Sequence, residues 1–129
     1  IQEAARRMST RKGGQGGTIV NMSSLAAVLG SPNEYVHYAA TKGAVESITF
    51  GAGKELAPEG IRVNAIRVGT TNTRIHTHGG NPERPARIAA LTPMGRIAEP
   101  EDIARAALML ASPGSGFMTG TLITVAGGL

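Results

Sequence analysis

Tyr38 and Lys42 stand four residues apart in Tyr38-Ala39-Ala40-Thr41-Lys42. On a helix, positions i and i+4 share a face, so a phenol and an ammonium placed there approach one another. A free phenol titrates near 10 and is a poor base at neutral pH. A cation about 4 Å away, at an effective dielectric near 20, favours the ionised phenol by up to ~4 kcal/mol. That is roughly three pKa units, enough to turn a phenol into a working acid or base. The spacing alone is weak, because any helix can carry such a pair on its surface. Its surroundings strengthen it. Asn21-Met22-Ser23-Ser24 closes a strand-like run, delivering hydroxyls fourteen residues before Tyr38. Val63-Asn64-Ala65-Ile66-Arg67-Val68-Gly69 closes a second such run further on. The carboxyl ends of strands are the functional edge of an open parallel sheet.

Other chemistries find little support. Asp102 is the only Asp and the Glu residues are scattered, which disfavours a paired-carboxylate hydrolase. The absence of Cys removes disulfides, thiolate zinc sites and a cysteine nucleophile. No G-x-S-x-G is present, so a nucleophile elbow has no anchor. His76-Thr77-His78 lacks a third ligand nearby and reads as polar loop rather than a metal site. The glycosylation sequon Asn21-Met22-Ser23 falls within a strand expected in the interior, and is set aside. Gly13-Gly14-Gln15-Gly16-Gly17 follows a helix and precedes a strand, the reverse of a dinucleotide cradle, so it reads as a turn.

The chain has 129 residues, 41% of them hydrophobic, which suits one packed domain. Its net charge of +4 is concentrated at one end. Arg6, Arg7, Arg11 and Lys12 against Glu3 give +3 in the first twelve residues, leaving +1 for the rest. A duplex binder needs a basic stripe along a face; here the charge gathers at a helix end, so no nucleic-acid partner is expected. No run approaches 18 apolar residues, so no membrane partner or signal peptide is expected, and a cytoplasmic protein is the default. The opening on Ile1-Gln2-Glu3, without Met or a cap, reads as though cut from something longer.

The elements that must position the chemical groups follow from periodicity. A helix tail over residues 1–12 leads to a strand at Thr18–Ser23, and a polar loop runs from Ser24 to Glu34. A long helix, Tyr35 to Ala57, carries Ala39, Ala40, Gly43, Ala44, Gly51, Ala52 and Gly53. So many small residues imply a close backbone, either of its own sheet or of a second subunit's helix. Ile61–Arg67 alternates as a second strand. Residues 69–98 form a long Gly/Pro-punctuated segment with one short helix near Pro85–Leu91, the place for a substrate lid. Arg74, His76 and His78 make it polar, faintly favouring a hydroxylated substrate. Pro100 starts a helix whose apolar face is Ile103, Ala106, Ala107 and Leu110, with Glu101 and Asp102 favourably in its first turn. Thr121–Val125 is the last strand. Strands separated by helices predict an α/β fold, a parallel sheet with right-handed crossovers.

With these motifs in order, the sequence resembles the short-chain dehydrogenase/reductase family, a glucose/3-oxoacyl-reductase-like oxidoreductase. Ile19–Ser24, Tyr38–Lys42, Gly60–Gly69, Pro100–Ala104 and Thr119–Gly128 carry the likeness across nearly the whole chain. The resemblance implies the C-terminal half of a Rossmann doubly wound parallel sheet and an NAD or NADP cofactor. It also implies hydride transfer between an alcohol and a carbonyl on a small molecule. Tyr38 matches the general acid/base. Lys42 matches the residue that holds the nicotinamide ribose and favours the ionised phenol. Ser24 matches the serine that binds the substrate oxygen, with Ser23 the alternative because the gap to Tyr38 is slightly long. Val68, Gly69, Thr71 and Thr73 fall where the family contacts its cofactor, and Asn64 matches a structural Asn.

Three departures qualify the likeness. Val68-Gly69 stands where the family has Pro-Gly, which should loosen the turn facing the nicotinamide. Ala126 replaces a polar residue before the terminal glycines. The family's glycine-rich cofactor motif and catalytic Asn precede the alignment's start. The resemblance therefore implies that the Thr18–Ser23 strand is an edge and that the isolated chain binds cofactor poorly and turns over weakly. It also implies a homodimer through helices 1–12 and 35–57, or a homotetramer using the last helix and strand. A truncated, non-catalytic module that keeps only these association helices is the alternative.

Overall fold

The computed structural model describes residues 1–75 and 81–129, so His76 and His78 lie outside the described residues. Element order is α1 (Gln2–Met8), β1 (Gly17–Ser24), α2 (Ala26–Leu29), α3 (Val36–Leu56), β2 (Ile61–Val68), α4 (Arg84–Leu91), α5 (Pro100–Ala111) and β3 (Leu122–Val125). The three strands form a parallel sheet in the order β1-β2-β3. β2 is its centre: Ile61, Val63, Ala65 and Ile66 are all fully buried. Within the described residues β1 pairs only with β2, so it is an edge, and Met22 near its end is 43% exposed.

Successive strand residues point to opposite faces. On one face, Asn21 donates to Thr49 of α3 at 2.9 Å and Arg67 meets Glu46 of α3. On the other, Ile66 packs with Ile103 and Leu110 of α5, joined by Val20, Val68 and Ile123. The helices thus cover opposite faces while the strands are added in one direction. Two such crossovers must have opposite hands, so they are not both right-handed as the sequence predicts. The long segment 69–99 between β2 and α5 gives the chain the slack to reach the far face.

Other boundaries also differ. The helix over residues 1–12 is broken at Ser9, whose ψ of 123° leaves the helical region before a single 3-10 turn, Thr10–Lys12. The fully buried Ser9 hydroxyl donates to the Glu59 carboxylate, and its carbonyl accepts from Gly14 N at 2.8 Å, which holds the break. Residues 24–34 are not all loop: α2 forms there and ends on Gly30 at φ 74°. Its residues Ala26-Ala27-Val28-Leu29 are too few to show a period.

Asn64 and Arg62 tie β2 to the approach of β3. Asn64 Nδ2 donates to Met118 O at 2.8 Å and its Oδ1 accepts from Thr121 N at 3.1 Å. Arg62 donates to the carbonyls of Leu110, Ser112 and Met118. At the start of α5, Asp102 accepts from Glu99 N at 2.9 Å and from Arg96 at 2.7 Å. The Arg96 guanidinium first, then the Glu99 amide, hold its carboxyl down at about 2, against an ordinary 3.8. A depressed carboxylate stabilises the fold above its unfolded value, and the contribution is lost as pH falls through the folded one. Asp102→Asn should therefore lower the urea midpoint at pH 6, with the gap to wild type closing between pH 4 and pH 2. An equal gap at both ends of that range would refute this role.

Candidate active site

α3 runs antiparallel to the strands, because Glu46 meets the end of β1 while Thr49 meets Asn21, further back. Its first turns therefore stand over the carboxyl edge of the sheet. Leu25 N donates to Val68 O at 2.8 Å, bringing the β1 exit beside the β2 exit. Between them opens a cleft of about 450 Å³. Ser24, Tyr38, Val68, Gly69, Thr71 and Thr73 all line it.

Tyr38 is 37% exposed at the cleft. The Lys42 ammonium lies 5.5 Å from the centre of its ring and donates to Met22 O at 2.8 Å. Lys42 stands behind Tyr38 rather than in the cleft lining. The two serines differ. Ser23 is buried and its hydroxyl donates to Glu46 at 2.9 Å. Ser24 is only half-buried, and its Oγ accepts from Ala26 N at 3.1 Å, leaving its proton to donate.

Hydrogen bonds and close packing surround the Val68-Gly69 turn. Gly69 N donates to Val125 O at 2.9 Å, Thr71 Oγ1 donates to Gly69 O at 3.2 Å, and Ala98 N donates to Thr70 O at 3.0 Å. A Cβ on Gly69 would come within 2.8 Å of the Ala126 backbone, so close packing against Ala126 requires glycine there. These bonds hold the turn on the residues that follow Val68.

Two arrangements escaped the sequence reading. The first joins Ser23, Glu46 and Arg67: Arg67 forks onto Glu46 with Nε–Oε1 2.8 Å and Nη2–Oε2 2.7 Å. Arg67 holds the Glu46 carboxyl below its usual range against the opposing effect of burial. Glu46 lies eight residues after Tyr38, on the same helix face, and that spacing was the available signal. The second joins Glu34, from the loop before α3, to Arg84 and Arg87 of α4. Arg87 and then Arg84 lower the Glu34 carboxyl, and Arg84 also donates to Thr70 at 3.2 Å. This cluster places α4 across the cleft, where Leu25, Leu29, Ile75, Ile88 and Leu129 give walls that are mainly apolar. His37, Asn81 and Arg84 supply its polar edge, and His76 and His78 lie outside the described residues.

With this fold and site in view, comparison with known proteins gives a consistent result. A family described as enoyl-(acyl carrier protein) reductase matches residues 1–129. An uncharacterized oxidoreductase of Escherichia coli (strain K12), YgfF, is 46% identical over 127 residues, covering 98% of this chain and 51% of its own length. The crystal structure of a short-chain dehydrogenase/reductase, glucose/ribitol dehydrogenase, from Brucella melitensis is 38% identical with a TM-score of 0.78, covering 86% of this chain and 44% of that one. A 7α-hydroxysteroid dehydrogenase complexed with NADH and 7-oxo glycochenodeoxycholic acid is 31% identical with a TM-score of 0.86, covering 98% of this chain and 48% of that one. The chain belongs to the short-chain dehydrogenase/reductase family of oxidoreductases, and its three parallel strands are part of a Rossmann sheet. It spans about half the length of the curated relatives it matches. Among the described residues no helix is long and apolar enough to cross a membrane.

Proposed function

We propose that this chain carries the catalytic residues of an NAD- or NADP-dependent oxidoreductase that interconverts an alcohol and a carbonyl. The observation that carries the reading is the convergence of Ser24 and Tyr38 on one cleft, with the Lys42 ammonium against the Tyr38 ring. Ser24 donates to the substrate oxygen, the role the buried Ser23 is less free to take because its proton goes to Glu46. Tyr38 gives its phenolic proton to that oxygen when the carbonyl is reduced and takes one back when the alcohol is oxidised. Lys42 sets its ammonium against the Tyr38 ring and is held there by its hydrogen bond to Met22 O.

The donor set suits a nicotinamide nucleotide: an ammonium for a ribose diol, and neutral hydroxyl and backbone groups for a carboxamide. Lys42, Val68, Gly69, Thr71 and Thr73 would hold that end, and Tyr38 would lie against it. When bound, the nicotinamide supplies or accepts the hydride at the carbonyl carbon. The apolar walls favour a carbonyl flanked by hydrocarbon, and the 7-oxo bile acid held by the steroid dehydrogenase relative has that character. Copies of the chain associate through the outer face of α3, where Val36, Ile48 and Phe50 are exposed.

The test is consumption of reduced nicotinamide nucleotide by the complete product of the reading frame that encodes these residues. An apolar cyclic ketone should be preferred over an aldose in kcat/KM by at least about tenfold, the order expected when hydrocarbon fills an apolar pocket. Preference for the aldose would overturn the substrate class. The 129-residue chain alone should turn over weakly; absence of turnover in both proteins would favour the non-catalytic association module.

A further inference from the structure

We infer that Glu46 is a positioning residue, clamping α3 to the ends of β1 and β2 and so fixing where Tyr38 stands over the cleft. Its catalytic consequence rests on the proposed function; its geometry does not. Tyr38, Lys42 and Glu46 succeed one another at four-residue steps, so they form one stripe along α3. Glu46 is only 8% exposed. Its carboxylate accepts the two arms of the Arg67 guanidinium and the Ser23 hydroxyl. Ser23 and Arg67 are register partners across β1 and β2, and the next residues in each strand, Ser24 and Val68, line the cleft. One carboxylate thus holds the helix that presents Tyr38 and both strand ends that present its neighbours.

The other side-chain ties between α3 and the strands divide by position. Lys42 reaches Met22 O from within the catalytic stripe itself. The Asn21–Thr49 hydrogen bond lies a turn further along, away from Tyr38. Between them, Glu46 sets the height and rotation of the first turns of α3. A carboxylate suits the task because it accepts every one of these bonds, with the forked guanidinium fixing its plane. An amide would present an NH2 to the guanidinium and lose an arm of the fork.

The test compares Glu46→Gln with Thr49→Val, which cuts the neighbouring Asn21–Thr49 hydrogen bond. In the isotopically labelled 129-residue chain, NMR contacts between the Lys42 side chain of α3 and Met22 of β1 report the placement of the helix over the strand end directly. Glu46→Gln should weaken those contacts at a temperature where the chain remains folded, and Thr49→Val should leave them intact. In the complete protein, Glu46→Gln should lower kcat by about 10- to 100-fold with little change in cofactor KM, as expected for a displacement near 1 Å. Thr49→Val should cost less than about threefold there, however much it destabilises the fold. Should Glu46→Gln fail to fold, Arg67→Lys keeps the charge but removes the fork, and the same measurements apply. Unchanged Lys42–Met22 contacts in the folded Glu46 or Arg67 variant, or equal losses in Thr49→Val, would overturn the inference. A wild-type protein without turnover would reject the catalytic reading, with the NMR contacts still deciding the role of Glu46.

Discussion

Tyr38→Phe is expected to lower turnover by about 10²- to 10⁴-fold, the range a positioned general acid/base contributes. The reason is specific to one atom. The ring of Phe fills the same space beside Lys42, so the packing against the ammonium survives, and only the phenolic proton is lost. Cofactor affinity, set mainly by Lys42 and the Val68–Thr73 segment in the proposed arrangement, should fall by less than about threefold. Stopped-flow measurement of the hydride step, with fluorescence titration of reduced nucleotide, separates the two effects. Turnover retained within tenfold of wild type would remove Tyr38 from its proposed role. A parallel collapse of nucleotide binding would instead mean that the tyrosine holds the cofactor.

Gly53→Ala should be strongly destabilising, and Gly51→Ala, two residues away on the same helix, should be stabilising. A Cβ on Gly53 would lie 2.5 Å from the Gly120 amide nitrogen, a contact with backbone that no rotamer change relieves. That backbone is itself fixed. Gly120 N donates to Val63 O at 2.7 Å, and Thr119 bonds both Val63 N and Gly53 O. Separating α3 from this segment would break the bonds that set β3 beside β2. We expect a loss of about 3 kcal/mol, at the upper end of ordinary overpacking costs, with a fall in Tm of roughly 10 °C. At Gly51 a Cβ meets nothing within 4 Å, so alanine gains helix propensity, up to ~1 kcal/mol. Urea denaturation of both variants checks the pair. The same sign in both would show that helix propensity or an unseen contact, rather than the Gly120 approach, governs this face.

These two glycines mark how far the sequence could be read. The excess of small residues in the long helix announces that some backbone comes close, but composition cannot say at which position or to which partner. Only the packing of α3 against the Thr119–Gly120 segment assigns Gly53 to its own chain and leaves Gly43 and Gly51 facing open space. Boundaries show the same division. α5 carries an apolar face at helical spacing, so local periodicity finds it; α3 is legible from its length and its small residues, since its buried positions mix Ala39 and Gly53 with Glu46 and Thr49. α2, with four residues, has no period to find, and the break at Ser9 depends on a hydroxyl meeting Glu59 fifty residues away.

By itself the sequence determined the alternation of strands and helices, the parallel sheet and the grouping of Ser24, Tyr38 and Lys42. Spacing along a helix and the carboxyl ends of parallel strands are local or topological facts, and residue order contains them. Tertiary structure alone decided which serine keeps its proton for the cleft, because that turns on Glu46 claiming Ser23. It also decided the apolar walls of the cleft, the bracing of the Val68–Gly69 turn and the opposite hands of the two crossovers. Each of these depends on groups far apart in the chain meeting at hydrogen-bond or van der Waals distance, and no spacing within one element encodes such a meeting.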